Sequence, residues 1–371
     1  MNIQKQINLL SKKLSMKRRN LIATKKAKKN KLLFKNPKIL NFYKKFKSTI
    51  FKYIQNKSFA VAVSGGSDSL CLAYFSKIYS SEFHNKIHVL IVDHKLRKES
   101  SKEALKVKAI LKKKKIQSKI LSWQEKIPKK NIQRKARDMR YSLISNYCLN
   151  KDIKYLITAH HKDDQIENFF IRLLRGSGLT GLSSMSANTK YNDRLKIIRP
   201  FLNFNKVDLK YTTLNYFKTY IKDPSNEDEQ FLRVRIRKYR KNMEKEGLNT
   251  KRIINTIQNL SSANQTLNFY KNKAIYKHAA FFSKNKCLIS ENIFSEEAGE
   301  IIFKSFSDVI SLISGTYYPP RSKKVINLIN RLKNNNFTKC TLGGCIIEKK
   351  GSSILILKEL KTRKMSYRLQ N

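Results

Sequence analysis

The run Ser64-Gly65-Gly66-Ser67-Asp68-Ser69 lies between an apolar stretch, Phe59 to Val63, and an apolar helix start, Leu70-Cys71-Leu72-Ala73. Two glycines in such a turn let the backbone approach an anion closely. Ser64, Ser67 and Ser69 offer hydroxyls, and the first N–H groups of the following helix have no intrahelical partner. The chemistry on offer is that of a phosphate cradle. It differs from the loop of P-loop NTPases, whose G-x-x-x-x-G-K-[ST] spacing and lysine are absent. An ordinary Gly/Ser turn would explain a bare Gly-Gly pair, but not the whole six-residue run in a strand-to-helix setting.

A second constellation is His160-His161-Lys162-Asp163-Asp164-Gln165-Ile166-Glu167, a pattern H-H-x-D-D-Q-x-E that opens a helix. Asp164 and Glu167 are three apart and share a helical face, so together they can hold an ammonium group. Two other readings fit the same residues: a metal site built from imidazole and carboxylate, or a helix N-terminus whose acids complement the dipole. A histidine with an unperturbed pKa of about 6.5 suits proton handling or phosphate stabilisation; the spacing does not choose between His160 and His161. Arg172 and Arg175, just before Gly176-Ser177-Gly178, can neutralise phosphates or stand as solvated helix-end charges. Arg233 and Arg237 follow the turn Asp223-Pro224-Ser225-Asn226.

These groups must be positioned by a scaffold, and the pattern from Phe59 onward supplies one. Phe59 to Val63, Ile87 to Val92, Ile116 to Leu121 and Tyr155 to Thr158 read as short buried strands, separated by helix-period segments near Ser69 to Ser80, Lys102 to Lys115 and Ile132 to Leu149. Strands alternating with crossover helices predict an α/β parallel sheet, with ligands at the carboxyl ends of its strands. After about residue 240 the texture is helical over Thr250 to Lys277, then mixed, with a turn at Thr341-Leu342-Gly343-Gly344 and strand-like segments at Cys345 to Glu348 and Ser353 to Leu357. Three regions follow: a basic extension over 1–48, read as mobile; a main domain over 49–240; and a smaller helical and mixed region over 241–371. Within that last region Tyr317-Tyr318-Pro319-Pro320-Arg321-Ser322-Lys323-Lys324 is the densest basic and aromatic stretch.

Composition narrows the partner. The 371 residues carry 79 Lys plus Arg against 26 Asp plus Glu, a formal charge of +53, which excludes an average enzyme of small neutral metabolites. Lys outnumbers Arg 60 to 19, so part of this reflects coding bias. A field of that size still favours encounter with nucleic acid. Residues 1–67 hold 18 Lys or Arg, among them Lys25, Lys26, Lys28 and Lys29, and no acid before Asp68. Cys71, Cys148, Cys287, Cys340 and Cys345 form no C-x-x-C pair and suggest neither a disulfide scaffold nor a zinc ribbon. With no apolar window long enough to span a bilayer, a cytoplasmic protein without membrane contact is expected.

The glycine loop resembles the S-G-G-x-D-S signature of the PP-loop ATP pyrophosphatase family. Four further blocks resemble its tRNA(Ile)-lysidine synthase branch: Val92-Asp93-His94-Lys95-Leu96-Arg97, Ala136-Arg137-Asp138-Met139-Arg140-Tyr141, Thr158-Ala159-His160-His161-Lys162-Asp163-Asp164-Gln165 and Arg172-Leu173-Leu174-Arg175-Gly176-Ser177-Gly178. The likeness is strong over about residues 55–240 and weak beyond. It implies a parallel-sheet PP-loop domain of the adenine nucleotide alpha hydrolase type. It also implies ATP and Mg2+ as cofactors, tRNA(Ile) with a CAU anticodon and free L-lysine as partners, and no permanent metal; a homodimer is left open. The implied reaction has two steps. The C2 oxygen of the wobble cytidine attacks the α-phosphate of ATP and pyrophosphate leaves; lysine then displaces AMP from C2. The resemblance assigns nucleotide binding to Ser64, Gly65, Gly66, Ser67, Asp68, Ser69, Asp93 and His94, with Asp68 facing Mg2+. Catalysis falls to Asp68, His160 and His161. Substrate contacts fall to Asp164, Glu167, Arg137, Arg140, Arg172, Arg175, Arg233 and Arg237. Val234 stands where many members carry Asn, which weakens a side-chain role there and leaves Arg233 and Arg237 as RNA-facing candidates, and the region over 241–371 is assigned to tRNA placement.

Three rival functions are distinguishable. A PP-loop tRNA thiolase needs cysteine or iron–sulfur chemistry, which the scattered cysteines do not suggest. A non-catalytic basic RNA-binding protein would release no pyrophosphate. Glutamine-dependent amidation needs an amidotransferase partner or domain.

Overall fold

The computed structural model describes residues 36–96, 99–124, 132–183, 185–192, 194–223, 228–316, 319–334 and 337–359. The Lys25 to Lys29 run, Arg97, Pro224 to Asn226, Tyr317 and Tyr318 lie outside them. Two compact units are present, one ending at Thr250 but lacking Arg175–Ser184, the other made of Arg175–Ser184 with the chain from Lys251 onward.

In the first unit, β1 (Phe59–Ala62), β2 (Ile87–Asp93), β3 (Ser118–Ser122), β4 (Tyr155–Ile157), β5 (Asn188–Lys190) and β6 (Lys196–Ile198) form one sheet in the order β3-β2-β1-β4-β6-β5. All pairings are parallel except that of β5 with β6, so the expected parallel α/β sheet carries one antiparallel edge strand. Strand alternation sorts the core. Phe59, Val61 and Val63 face a cluster that includes Leu70, Phe75, Val107 and Phe201, while Ala60 faces another with Leu90, Tyr141, Ile144 and Leu156. The helices α2 (Ser67–Phe83), α3 (Ser100–Lys113) and α4 (Ile132–Asn150) are the crossovers that cover the two faces. Strand order reverses between β1 and β4, the position where open α/β sheets form a ligand crevice.

The reading of 1–48 as a mobile extension needs correction from residue 36 on. Helix α1 (Pro37–Tyr53) buries Ile39, Tyr43, Phe46 and Ile50. The Asn36 carboxamide oxygen caps it by accepting from the N–H groups of Lys38 and Ile39, and Pro37 occupies its first turn. A capped helix whose apolar residues recur every three or four positions gains its stability by docking. Tyr43 and Phe46 pack on Phe75, and Phe46 also meets Phe201.

The remaining helices of this unit are α5 (Lys162–Leu173), α7 (Lys206–Phe217) and α8 (Leu232–Lys245), with the short α6 (Leu179–Leu182) falling in the other unit. The second unit contains α9 (Thr250–His278) and a five-stranded antiparallel sheet in the order β7-β8-β11-β10-β9, from β7 (Ala279–Ser283), β8 (Lys286–Ser290), β9 (Lys339–Leu342), β10 (Cys345–Lys350) and β11 (Ser353–Lys358). Helices α10 (Ile293–Glu296), α11 (Gly299–Ser314) and α12 (Ser322–Leu332) complete it, and Phe306, Ile310, Val325, Ile347 and Ile356 form its core. Among the described residues no helix is long and apolar enough to cross a membrane.

Candidate active site

The Ser64 to Ser69 loop joins β1 to α2 at the strand-order reversal. Gly65 has φ +92°, in the left-handed region, and a Cβ there would stand 2.4 Å from Val107 Cγ2 on α3. Glycine is therefore required on both conformational and steric grounds. At Gly66 a Cβ would meet only Ser64 Oγ, at 3.9 Å, so the space in front of the α2 N-terminus is open. Ser69 does not point toward a ligand. Its buried Oγ accepts from the N–H groups of Ser64 (3.2 Å) and Gly65 (3.1 Å) and donates to Gly66 O at 3.0 Å. It staples the loop shut and also accepts from Ser64 Oγ at 3.3 Å, while Ser67 Oγ donates to Asp68 Oδ1 at 3.1 Å, so the N–H groups opening α2 are the donors left facing an anion. The expectation that Ser69 donates to phosphate is corrected accordingly. Thr213 of α7 anchors the loop from behind, donating to Ser67 O at 2.6 Å, and Ile221 N–H donates to Gly65 O at 2.9 Å.

Across the reversal, β4 delivers His160 and His161. The two rings part company. His161 is buried and sets its Nε2 3.4 Å from Asp68 Oδ2 and 3.5 Å from Asp164 Oδ2. Burial alone would lower its pKa, but the hydrogen bond to Asp68 and the charges of Asp164, Asp68 and Asp163 outweigh it, and the net direction is upward. His160 instead meets Thr158 Oγ1 through Nδ1 at 2.9 Å. Burial, reinforced by Arg199, Arg137 and Arg233 against the pull of Asp164, pushes its pKa down to about 3. The sequence left this pair undecided; the structure puts His161 on the loop and leaves His160 neutral. Helix capping coexists with this arrangement, since Asp164 Oδ2 accepts the His161 N–H at 2.9 Å. The Asp164 carboxyl is driven up by burial and down, further, by His161 and His160, ending below the usual range.

The β2 end supplies Asp93 and His94. Asp93 is buried and accepts from Ser100 Oγ (2.6 Å), Ser101 Oγ (2.6 Å) and Lys95 N–H (3.0 Å), so it shapes the turn into α3 instead of reaching a ligand directly. Burial would raise its pKa; those donors keep it low. His94 accepts from Arg140 Nε and lies 3.1 Å from Arg140 Nη2 as well; burial and that guanidinium depress its pKa to about 4.

Glu167 and Arg237, expected to meet lysine and RNA, pair with each other: Nε to Oε1 at 2.5 Å and Nη2 to Oε2 at 3.2 Å. The cause is burial. Glu167 is 2% exposed, and a carboxylate so placed needs a cation. One turn earlier, Asp163 binds Arg240 at 2.8 Å, and Arg240 also reaches Glu244 and Thr250. Two ion pairs therefore clamp α5 to α8, and Arg240 is a residue bracing α5 that sequence reasoning missed. Arg137 lies over the Tyr141 ring at 5.3 Å and, with burial, lowers the pKa of Arg172. Arg233 bears on both His160 and Asp164. The structure thus sets Arg137 and Arg233 near His160 and Arg172 near Arg137, whereas Arg175 is exposed and belongs to the second unit.

A glycine loop at the strand-order reversal, faced by an H-H-x-D-D helix start and an arginine cluster, defines a PP-loop fold, and the PP-loop domain model matches residues 36–242. The U34-tRNA thiolase NcsA from Methanococcus maripaludis shares the fold at a TM-score of 0.50 and 17% identity, over 61% of this chain and 80% of that one. The tRNA(Ile)-lysidine synthase of Orientia tsutsugamushi is 36% identical over 82% of this chain and 70% of its own, and that of Wolbachia pipientis wMel is 37% identical over 82% and 71%. The chain belongs to the tRNA(Ile)-lysidine synthase family of PP-loop proteins.

Proposed function

We propose that this protein joins free L-lysine to C2 of the wobble cytidine in the CAU anticodon of tRNA(Ile), through an adenylated cytidine, with release of AMP and pyrophosphate. Family membership supports the reaction. The observation that carries it onto these residues is the placement of His161 Nε2 3.4 Å from Asp68 across the β1–β4 reversal, in front of the open N-terminus of α2. The N–H groups at that N-terminus bind the phosphates, where the helix dipole favours negative charge, and the Ser64 and Ser67 hydroxyls join them by turning from Ser69 and Asp68. The partly open carboxylate of Asp68 would hold the Mg2+ brought with ATP, which would supply charge neutralisation for the leaving pyrophosphate. His161 carries a proton between Asp68 and Asp164 and faces the charge that develops on the phosphates. His160, kept neutral, orients Thr158 and the strand end. The arginines around it bind the anticodon backbone, the second unit places the tRNA, and Asp164 with Glu167 receives the lysine ammonium.

The thiolase rival gains no support from the cysteines. Cys71, beside the loop, is fully buried, and burial together with Asp68 pushes its thiol well up. The test is incubation with ATP, radiolabelled lysine and transcribed tRNAs. Label retained in isoleucine tRNA and not in methionine tRNA supports the proposal; pyrophosphate release without lysine transfer would sink it.

A further inference from the structure

We infer that Lys304 is a positioning residue for tRNA binding: it fixes the segment Arg175–Ser184 on α9 and α11, so that Arg175 is presented to an RNA phosphate. The inference rests on the reading of Arg175 as a substrate contact. Lys304 of α11 donates from Nζ to Thr180 Oγ1 at 2.5 Å and to Asn264 Oδ1 at 3.1 Å, and Thr180 Oγ1 donates to the same Asn264 oxygen at 3.1 Å. Three side chains from α6, α9 and α11 thus close one hydrogen-bonded ring, and all three belong to the second unit. Lys304 is 6% exposed, and its ion-pair partner among the described residues is Glu300, at 3.9 Å on the same helix. Its direct hydrogen bonds therefore go to neutral oxygens, and burial lowers its pKa although Glu300 pulls the other way.

Burying an ammonium is costly, and an apolar side chain would fill the same space without that cost. What the ammonium adds is direction, since two charge-assisted hydrogen bonds fix where Thr180 sits. The segment is wound closely around that residue. Ser183 Oγ donates to Thr180 O at 3.1 Å, and Gly181 comes so near Ser177 that a Cβ there would lie 2.6 Å from the Ser177 Cβ. Gly176, at φ +64°, makes the turn that follows Arg175. Anchoring Thr180 therefore also anchors the turn that carries Arg175. Arg175 is exposed and has no ion pair among the described residues, so its guanidinium fork is open to a phosphate.

Binding of tRNA(Ile) to the full-length protein over a range of salt, together with steady-state kinetics, tests this with Lys304→Met, Arg175→Gln and the double variant. Each single change should weaken tRNA binding about fivefold to tenfold and reduce the slope of log K against log salt by about one phosphate contact. In Lys304→Met the loss should appear as a raised KM for tRNA, with the KM for ATP and kcat at saturating tRNA within about twofold of wild type. The double variant should bind no more weakly than the weaker single one, because both changes remove one contact. Additive losses, or Lys304→Met with wild-type affinity and salt slope, would overturn the inference. Should Lys304→Met fail to fold, Thr180→Val, an exposed position, takes its place: it should reproduce the loss and Thr180→Ser should restore binding, and an unchanged slope in Thr180→Val contradicts the inference. Arg175→Gln that binds tRNA like wild type removes Arg175 as an RNA contact and the inference with it, while the reaction assigned to the first unit stands.

Discussion

His161 Nε2 and Asp68 Oδ2 lie 3.4 Å apart although they stand at the starts of different helices, α5 after β4 and α2 after β1, on the two sides of the point where strand order reverses. The pairing closes the phosphate loop against the histidine helix and leaves His161, not His160, facing that loop. Asp68→Asn removes the charge that holds the His161 proton. Modification should fall by about 10²-fold or more, with a melting temperature near that of the wild type, because Asp68 is partly exposed. Turnover within a few-fold of wild type would remove Asp68 from the machinery.

Gly65→Ala should be among the most damaging single changes in the loop. It places a side chain at φ +92° and drives a Cβ into Val107. Left-handed backbone costs about 1–2 kcal/mol for a non-glycine residue, before the clash is counted. Pairing it with Val107→Ala should recover part of the melting temperature but not all. Full recovery would mean that the backbone conformation is not needed.

The sheet and the loop were legible in the sequence because their signals are local: β-rich runs at even spacing, Gly-Gly between strand and helix, and acids at a helix start. Helix α1 was legible too, in the Asn36-Pro37 cap and the spacing of Ile39, Tyr43, Phe46 and Ile50, but the surrounding lysines masked it. What could not be read was pairing at a distance. Arg237 and Arg240 have the composition of RNA-facing residues, and only the fold shows them seventy or more positions from the acids that claim them. The choice between His160 and His161 likewise depends on the direction in which one backbone step turns each ring.

Truncation separates the leader from the domain. Deleting residues 1–35 should leave the melting temperature and turnover at saturating tRNA near wild type, and mainly weaken salt-sensitive RNA binding. Deleting 1–40 also removes the Asn36 cap, its hydrogen bond to the Tyr211 hydroxyl, and buried Ile39. Loss of the cap costs about 1 kcal/mol and loss of the buried side chain about 1.5–3 kcal/mol, so the longer deletion should melt distinctly lower. Equal melting of both would contradict the docking of α1.

Acid should destabilise the protein through His94 and His160. Their folded pKa values, about 4 and about 3, lie below the unfolded value of about 6.5, so the unfolded chain binds protons first and stability falls as pH drops below that value. His161 acts in the opposite sense: its pKa is raised, so its contribution is complete below the unfolded value and is lost as pH rises through the folded one. Denaturation of His160→Gln should show a shallower acid limb than wild type, and His161→Gln a shallower decline on the alkaline side. Identical pH profiles in all three proteins would refute the assignment of opposite charge states.

The most direct test follows the α-phosphate. With ATP labelled there, tRNA(Ile) and no lysine, the label should remain on the tRNA, at the wobble cytidine, and adding lysine should release it as AMP with one lysine retained for each AMP. Asp68→Asn should show neither event. If the label never reaches the tRNA, or if lysine becomes labelled with AMP before tRNA is added, the account of this site as one that activates the cytidine is wrong.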